Sequence, residues 1–257
     1  MSLTEQTENA ASNGMYISFV APAFNESPNL VKLVEEVAKV AATIGKNWEC
    51  VIADDCSTDD SLAVLGKLRK TYPQLVIIEL DRRSGQTAAM EACFRAAAGK
   101  YIATMDGDLQ NDPAEIPRML EFITSGQCDM VNGWRKTRRD NILRLLSTKL
   151  GNAVRNWLTR ENIQDGGCGL KVYRREVVES FKLFNGLHRF FPTLAKMNGF
   201  KVIETPVNHR HRVAGVAKYG VWNRLFKVLR DAMAIRWMQN RNLKYTAKRI
   251  DGPVGPA

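Results

Sequence analysis

Lys100-Tyr-Ile-Ala-Thr-Met-Asp-Gly-Asp-Leu-Gln-Asn-Asp-Pro113 is the stretch around which this chain is organised. A short apolar run of β type, Tyr101 to Met105, ends on Asp106, and Asp108 follows after a single glycine. The pattern predicts a buried strand that delivers two carboxylates to the rim of a sheet, where open α/β folds place their ligands. Two acids held that close repel one another, and a divalent cation taking hard oxygen ligands relieves the repulsion. Such a cation can bridge a diphosphate. Gly107 is expected to make the turn between the acids, and Pro113 to lead into a helix starting near Ala114. An Asp-Gly-Asp tripeptide also occurs in solvated turns, so its context decides.

The strands and helices on either side supply that context. Tyr16 to Ala21 reads as a strand running into Pro22-Ala-Phe-Asn-Glu26, after which Ser27 is expected to cap a helix that Gly45 stops. Trp48 to Ala53 is a second strand, ending on Asp54-Asp-Cys-Ser-Thr-Asp59, with a helix from about Asp60 to Tyr72 beyond it. Leu75 to Leu80 is a third strand, and Ser84-Gly-Gln86 opens the helix before the organising stretch. Strands alternating with helices call for a mostly parallel sheet with helices on both faces, an α/β fold. Each strand ends on a polar cluster: Glu26, then Asp54 and Asp55, then Arg82 and Arg83, then Asp106 and Asp108. Solvated loops explain one or two such clusters; four imply a shared crevice.

Further along, Cys128 to Trp134 reads as a strand leading into Arg135-Lys-Thr-Arg-Arg139. An apolar stripe at helical spacing covers 141–159. A glycine-rich turn, Asp165-Gly-Gly-Cys-Gly-Leu170, returns the chain to a strand, Phe190 to Asn198 reads as a helix, and Lys201 to Val207 as a last strand.

The chain has 257 residues, 45% hydrophobic and 25% charged, which suits one globular domain with a sizeable core. No run of about 18 apolar residues suggests a transmembrane helix. Residues 1–14 are expected to be a disordered tail, 15–220 the catalytic domain, 221–240 an amphipathic helix and 241–257 a C-terminal tail. Five scattered cysteines without Cys-x-x-Cys spacing fit reduced thiols and not a zinc site. The net charge of +10 implies an anionic partner. Twelve Lys or Arg against only Glu204 and Asp231 lie between Lys201 and Ile250, so the charge gathers towards the C-terminus.

Six motifs in order, Pro22-Ala-Phe-Asn-Glu26, Asp54 to Asp59, Ser84-Gly-Gln86, Asp106-Gly-Asp-Leu-Gln110, Asp165 to Leu170, and Arg212 through Lys218-Tyr219, make the sequence resemble the family 2 glycosyltransferases of GT-A fold. Within that family it is similar to the dolichol-phosphate mannose synthases and the bacterial polyprenyl-phosphate glycosyltransferases. The resemblance covers Met15 to Trp237. It implies inverting transfer of a hexose from a nucleotide-diphospho-sugar, GDP-mannose or a UDP-sugar, to a polyprenyl monophosphate.

By position, the resemblance assigns Pro22, Phe24, Glu26, Asp54, Asp55, Gln86 and Asp106 to the nucleotide-sugar. Asp106, Asp108 and Gln110 would hold Mg2+ or Mn2+ against the diphosphate, neutralising the leaving group. Arg135, Arg212 and Lys218 would face phosphates of donor or acceptor. Arg138, Arg139 and Arg210 read as a solvated face, and His188, His209 and His211 receive no catalytic role. A lipid monophosphate is ionised near neutral pH and needs no general base, so positioning and charge neutralisation would supply the rate. Processive polysaccharide synthases of similar fold carry an acid-containing turn and a Gln-x-x-Arg-Trp motif. Here Asp165-Gly166-Gly167 occupies the turn and Met233 stands in place of the Gln before Arg236-Trp237, which argues against a sugar-hydroxyl acceptor.

Trp222, Leu225, Phe226, Leu229, Met233 and Trp237 form one stripe of the helix 221–240, with Arg224, Lys227 and Asp231 expected opposite. This pattern suits a core-packed helix or one lying on a membrane surface. The lipid acceptor favours the membrane, with the protein cytoplasmic and peripheral on its inner face, and with a separate membrane-anchoring subunit as a possible partner. Family 2 transfer to a non-prenyl envelope acceptor is the first alternative, and a non-catalytic membrane-surface scaffold the second. A scaffold would be expected to have lost an acid, and none is missing. A sugar nucleotidyltransferase would need a Gly-rich basic loop after the first strand. Nucleic acid is not an expected partner, because the acid-lined crevice repels phosphates without a metal and aromatic platforms are not interleaved with the basic residues outside the C-terminal helix.

Overall fold

The computed structural model describes residues 14–135, 153, 155–210 and 221–243, the side chains of 221–228 excepted. The strand of the organising stretch is β4 (Tyr101–Thr104), buried along its whole length. Beside it lie, all parallel, β1 (Ile17–Ala23), β2 (Trp48–Asp54) and β3 (Leu75–Glu79). Helices α1 (Ser27–Ile44), α2 (Ser61–Thr71) and α3 (Gln86–Ala96) make the crossovers. After β4 come a 3-10 turn (Pro113–Glu115), α4 (Ile116–Thr124), β5 (Met130–Trp134), β6 (Lys171–Arg174) and α5 (Arg175–Glu179). A second 3-10 turn (Leu187–Phe190), α6 (Phe191–Met197), β7 (Val202–Pro206) and α7 (Val221–Arg241) follow.

The seven described strands run in the order β3-β2-β1-β4-β6-β5-β7. Successive residues of a strand point to opposite faces, and both faces are buried. Ile17, Phe19, Ile52 and Ala103 pack with Leu30, Leu33, Val37, Leu65, Met119 and Ile123 of α1, α2 and α4. Val20, Val51, Ile102 and Tyr173 pack with Met90, Phe94, Val177, Phe191, Ala232 and Ile235 of α3, α5, α6 and α7. Helix α7 therefore belongs to the second core layer.

Strand β6 departs from the parallel rule, pairing antiparallel with both β4 and β5. Its register places Lys171 opposite Thr104. An antiparallel strand begins where its parallel-running neighbours end, so the glycine-rich turn before β6 arrives at the rim where β4 delivers its acids. Thr104 Oγ1 donates to Gly169 O at 2.8 Å and ties the turn there.

One local expectation needs correction. Ser27 does not cap α1 but is its first residue, preceded by Glu26 without a side-chain cap. The Asp59 carboxylate fills that role from the next loop, accepting from Ser27 N at 3.1 Å. The turn between the acids lies at Gly107 and Asp108 as expected, and Leu109 follows it in left-handed backbone at φ 61°. The backbone also passes close to β1 there, a β-carbon at Gly107 standing 3.1 Å from Pro22 O.

Candidate active site

The acids gather where β1, β2 and β4 end, as the strand pattern predicts. Asp106 is held on three sides. Gln86 Nε2, in the first turn of α3, donates to Asp106 Oδ1 at 3.0 Å, and Asp106 N donates to Asn111 Oδ1 at 2.8 Å. Gly169 packs so closely that any β-carbon there would overlap the Asp106 carboxylate. Asp108 Oδ1 accepts from Gln110 N at 3.2 Å. Burial, and then the neighbouring Asp108 charge, push the Asp106 carboxyl up to about 6 against the opposing pull of Lys171, Arg135 and Gln86.

No group of three His, Cys, Asp or Glu suited to a metal occurs among the described residues. The donors on offer are the two carboxylates and the Gln110 amide, whose nitrogen lies 3.5 Å from both Arg210 O and His209 Nε2. That nitrogen is thus turned to an acceptor, and the carbonyl oxygen is the end a cation would use. Such a sparse set of hard oxygens, in which the Asp108 charge disfavours ionisation of Asp106, fits Mg2+ or Mn2+ completed by phosphate oxygens.

The paired acids of β2 are in the rim but their oxygens are committed. Asp54 is fully buried, accepting from Ser57 N at 2.8 Å and Ser57 Oγ at 2.5 Å. Asp55 accepts from Ser84 N at 2.6 Å and Gly85 N at 2.9 Å, and so sets the loop that presents Gln86. Glu26 Oε2 accepts from Asn29 at 2.8 Å, and Pro22 lies against Gly107. Phe24 carries the Arg83 guanidinium 3.9 Å from its ring centroid, a cation–π contact. Asn25, Cys56 and Leu109, three residues of these loops, adopt left-handed backbone at φ 52°, 58° and 61°. Each costs about 1–2 kcal/mol, held by the surrounding fold.

Arg135, expected to face phosphate, is bound to Asp165 instead. Its Nε lies 2.6 Å from Oδ2 and its Nη2 2.8 Å from Oδ1, with both side chains nearly buried. Arg210, expected on a solvated face, bridges Glu36 and Asp112 at 2.6 Å each. Arg138, Arg139, His211, Arg212 and Lys218 lie outside the described residues.

Several residues of the site were not singled out by sequence. Lys171 is buried, and its ammonium donates to the Cys168 carbonyl under the glycine-rich turn, close enough to Asp106 and Asp165 to feel their charge. The signal was a lone charged residue inside the apolar run Leu170 to Tyr173. Asn111 lies within the organising stretch itself, its Oδ1 accepting from Asp106 N five residues away, whereas Asn132 and Glu204 carry no local signal because their partners are distant in the chain: Asn132 Nδ2 donates to Asp165 O at 3.1 Å and to Glu204 at 2.9 Å.

Comparison with known proteins agrees with this geometry. Residues 18–181 match the family described as Glycosyl transferase family 2. A dodecaprenyl-phosphate galacturonate synthase of Rhizobium johnstonii is 37% identical over 236 residues, which cover 90% of this chain and 68% of that protein. An undecaprenyl-phosphate 4-deoxy-4-formamido-L-arabinose transferase of Pectobacterium carotovorum subsp. carotovorum is 36% identical over 204 residues, 79% of this chain and 62% of that protein. The chain thus spans 62–68% of the length of these relatives. Among solved structures, glucosyl-3-phosphoglycerate synthase of Mycobacterium tuberculosis, crystallised with Mn2+ and uridine-diphosphate-glucose, has the same fold, with a TM-score of 0.62 at 18% identity over 93% of this chain and 83% of that one. With an acid-lined rim on a GT-A type sheet and a family match across most of that sheet, the chain belongs to glycosyltransferase family 2.

Proposed function

We propose that this chain moves a hexose, with inversion, from a nucleotide-diphospho-sugar (GDP-mannose or a UDP-sugar) to a polyprenyl monophosphate. The observation that carries the choice of acceptor is the Arg135–Asp165 pair. A hydroxyl acceptor needs a carboxylate to take its proton, and the turn that would supply one has both oxygens of Asp165 engaged by a guanidinium. A phosphate acceptor arrives ionised and needs no base. The relatives named for dodecaprenyl- and undecaprenyl-phosphate support the same acceptor class.

Asp106, Asp108 and Gln110 would hold the divalent cation, Mg2+ or Mn2+, which when bound supplies Lewis-acid neutralisation of the departing diphosphate. Gln86 fixes the Asp106 carboxylate, while Asp55 fixes the loop that bears Gln86. Pro22, Phe24 and Glu26 are assigned to the nucleotide, and Arg212 and Lys218 to phosphates. The rate then comes from orientation and from charges already in place.

A surface for the lipid lies on α7. Leu229, Met233 and Trp237 stand 36%, 51% and 64% exposed at four-residue spacing, opposite the buried Ala232 and Ile235. Gln239 Nε2 donates to Thr159 O at 2.8 Å, which sets the exposed Trp157 and Arg160 beside Arg236. Apolar and aromatic groups rimmed by guanidinium suit an interface with anionic headgroups. No described helix is long and apolar enough to cross a membrane. The protein would act peripherally on the cytoplasmic face of the membrane, or docked on a membrane-anchoring subunit.

The test is transfer of labelled sugar from a panel of UDP- and GDP-sugars to a short polyprenyl phosphate, with Mg2+, Mn2+ or EDTA. An organic-extractable product that EDTA abolishes is expected. Donor consumption only with a non-lipid acceptor would overturn the lipid assignment, and failure to bind any donor would leave a scaffold.

A further inference from the structure

The residue after Gln86 points away from the acids and into the core. Thr87 is 2% exposed, and its hydroxyl accepts from Gly186 N at 3.0 Å while lying 2.8 Å from His188 Nδ1, to which it can donate its own proton. The Asn185 side chain closes over Gly85 from the same loop, 3.5 Å from where a β-carbon would stand. Loop 185–188 thus clamps Gly85 to Thr87 from one side, as the Asp55 carboxylate does from the other.

That loop has a support of its own. Gly186 adopts φ 103°, and the carboxylate of Asp231 from α7 is packed so tightly on it that any β-carbon would overlap it. Asp231 is buried, although the alternation along the helix led us to expect it on the polar outer face. It sits one residue from Ala232, on the side of α7 away from the exposed Leu229, Met233 and Trp237.

We propose that Thr87 and Asp231 are positioning residues: through loop 185–188 they fix Gln86 against Asp106, so that the seating of α7 sets the geometry of the acid pair. This rests on the proposed function only for its meaning in turnover. The coupling itself acts on the free protein. Groups that orient a metal's ligands are typically worth about 10–100-fold in affinity or activity, because a ligand left to rotate must be ordered when the cation binds.

The experiment is calorimetric titration of Mn2+ into the full chain, without donor or acceptor, for wild type, Thr87→Val, Thr87→Ser, Asp231→Ala and Asp231→Asn, alongside thermal melts. We expect Thr87→Val and Asp231→Ala to weaken Mn2+ binding about tenfold, Thr87→Ser to stay near wild type, and Asp231→Asn to fall between. A merely structural role would lower Tm without moving the Mn2+ affinity of the folded fraction, and that result overturns the proposal. Loss in the Thr87 variants with wild-type affinity in both Asp231 variants would remove the α7 arm. Wild-type transfer assayed in parallel separates the two claims: absent transfer with coupled Mn2+ affinities sinks the function and spares the coupling.

Discussion

Arg135 and Asp165 face each other through two parallel hydrogen bonds of 2.6 and 2.8 Å in a nearly buried site at the rim of the sheet. The pair joins the end of β5 to the glycine-rich turn before β6, and the same turn packs on Asp106. Asp165 also offers its backbone carbonyl to Asn132 at 3.1 Å, so the turn is fixed from two directions.

Breaking that pair from one side leaves a desolvated charge without its partner. Asp165→Ala is expected to lower the unfolding free energy by about 3–5 kcal/mol, measured by denaturant titration. A loss under about 1 kcal/mol, the usual worth of an exposed pair, would show that water reaches the guanidinium.

Asp108→Ala removes a carboxylate that accepts a local hydrogen bond from Gln110 N at the rim of the sheet. Sugar transfer should fall below detection while Tm stays near wild type. Near-normal turnover in the presence of metal would falsify the assignment of Asp108 to the cation.

Burial, and then the Asp108 charge, push the Asp106 carboxyl up to about 6 from its ordinary 3.8. A cation needs the carboxylate, so Mn2+ affinity should climb as pH rises through 6 and level off above it. The sign for stability is opposite. A raised folded-state pKa means the folded form holds the proton more tightly, so this group's contribution is full below about 3.8 and is lost as pH rises through 6. Denaturant titrations of wild type and Asp106→Asn between pH 4 and 7 would check it: the wild type should lose stability relative to the variant across that window, and parallel profiles would count against the raised value.

Trp237→Asp changes a side chain that is 64% exposed on α7. It should leave Tm within a few degrees of wild type yet abolish co-sedimentation with anionic vesicles at low salt. Unchanged sedimentation would move the docking surface elsewhere.

Much of this architecture is legible in the sequence because it depends on neighbours close along the chain. Tyr101 to Thr104 reads as a strand from its apolar run, and Gly45 reads as a helix stop because it takes φ 64°. The acids after β1, β2 and β4 follow from where those apolar runs end. What sequence could not show is which of these acids are already occupied. Asp55 accepts from Ser84 and Gly85, 29 and 30 residues away, and nothing local distinguishes it from Asp106.

By itself, then, the sequence determined the order of strands and helices in the parallel half, the two-faced burial of the sheet and the set of acids at its rim, all consequences of short-range patterning. The tertiary structure alone decided that β6 inserts antiparallel between β4 and β5, that Arg135 meets Asp165, and that Asp231 turns inward onto Gly186. Each of these joins segments far apart in the chain. A buried charge or backbone amide takes whichever partner the completed fold brings within hydrogen-bond reach, because leaving it unpaired away from water costs more than any local preference.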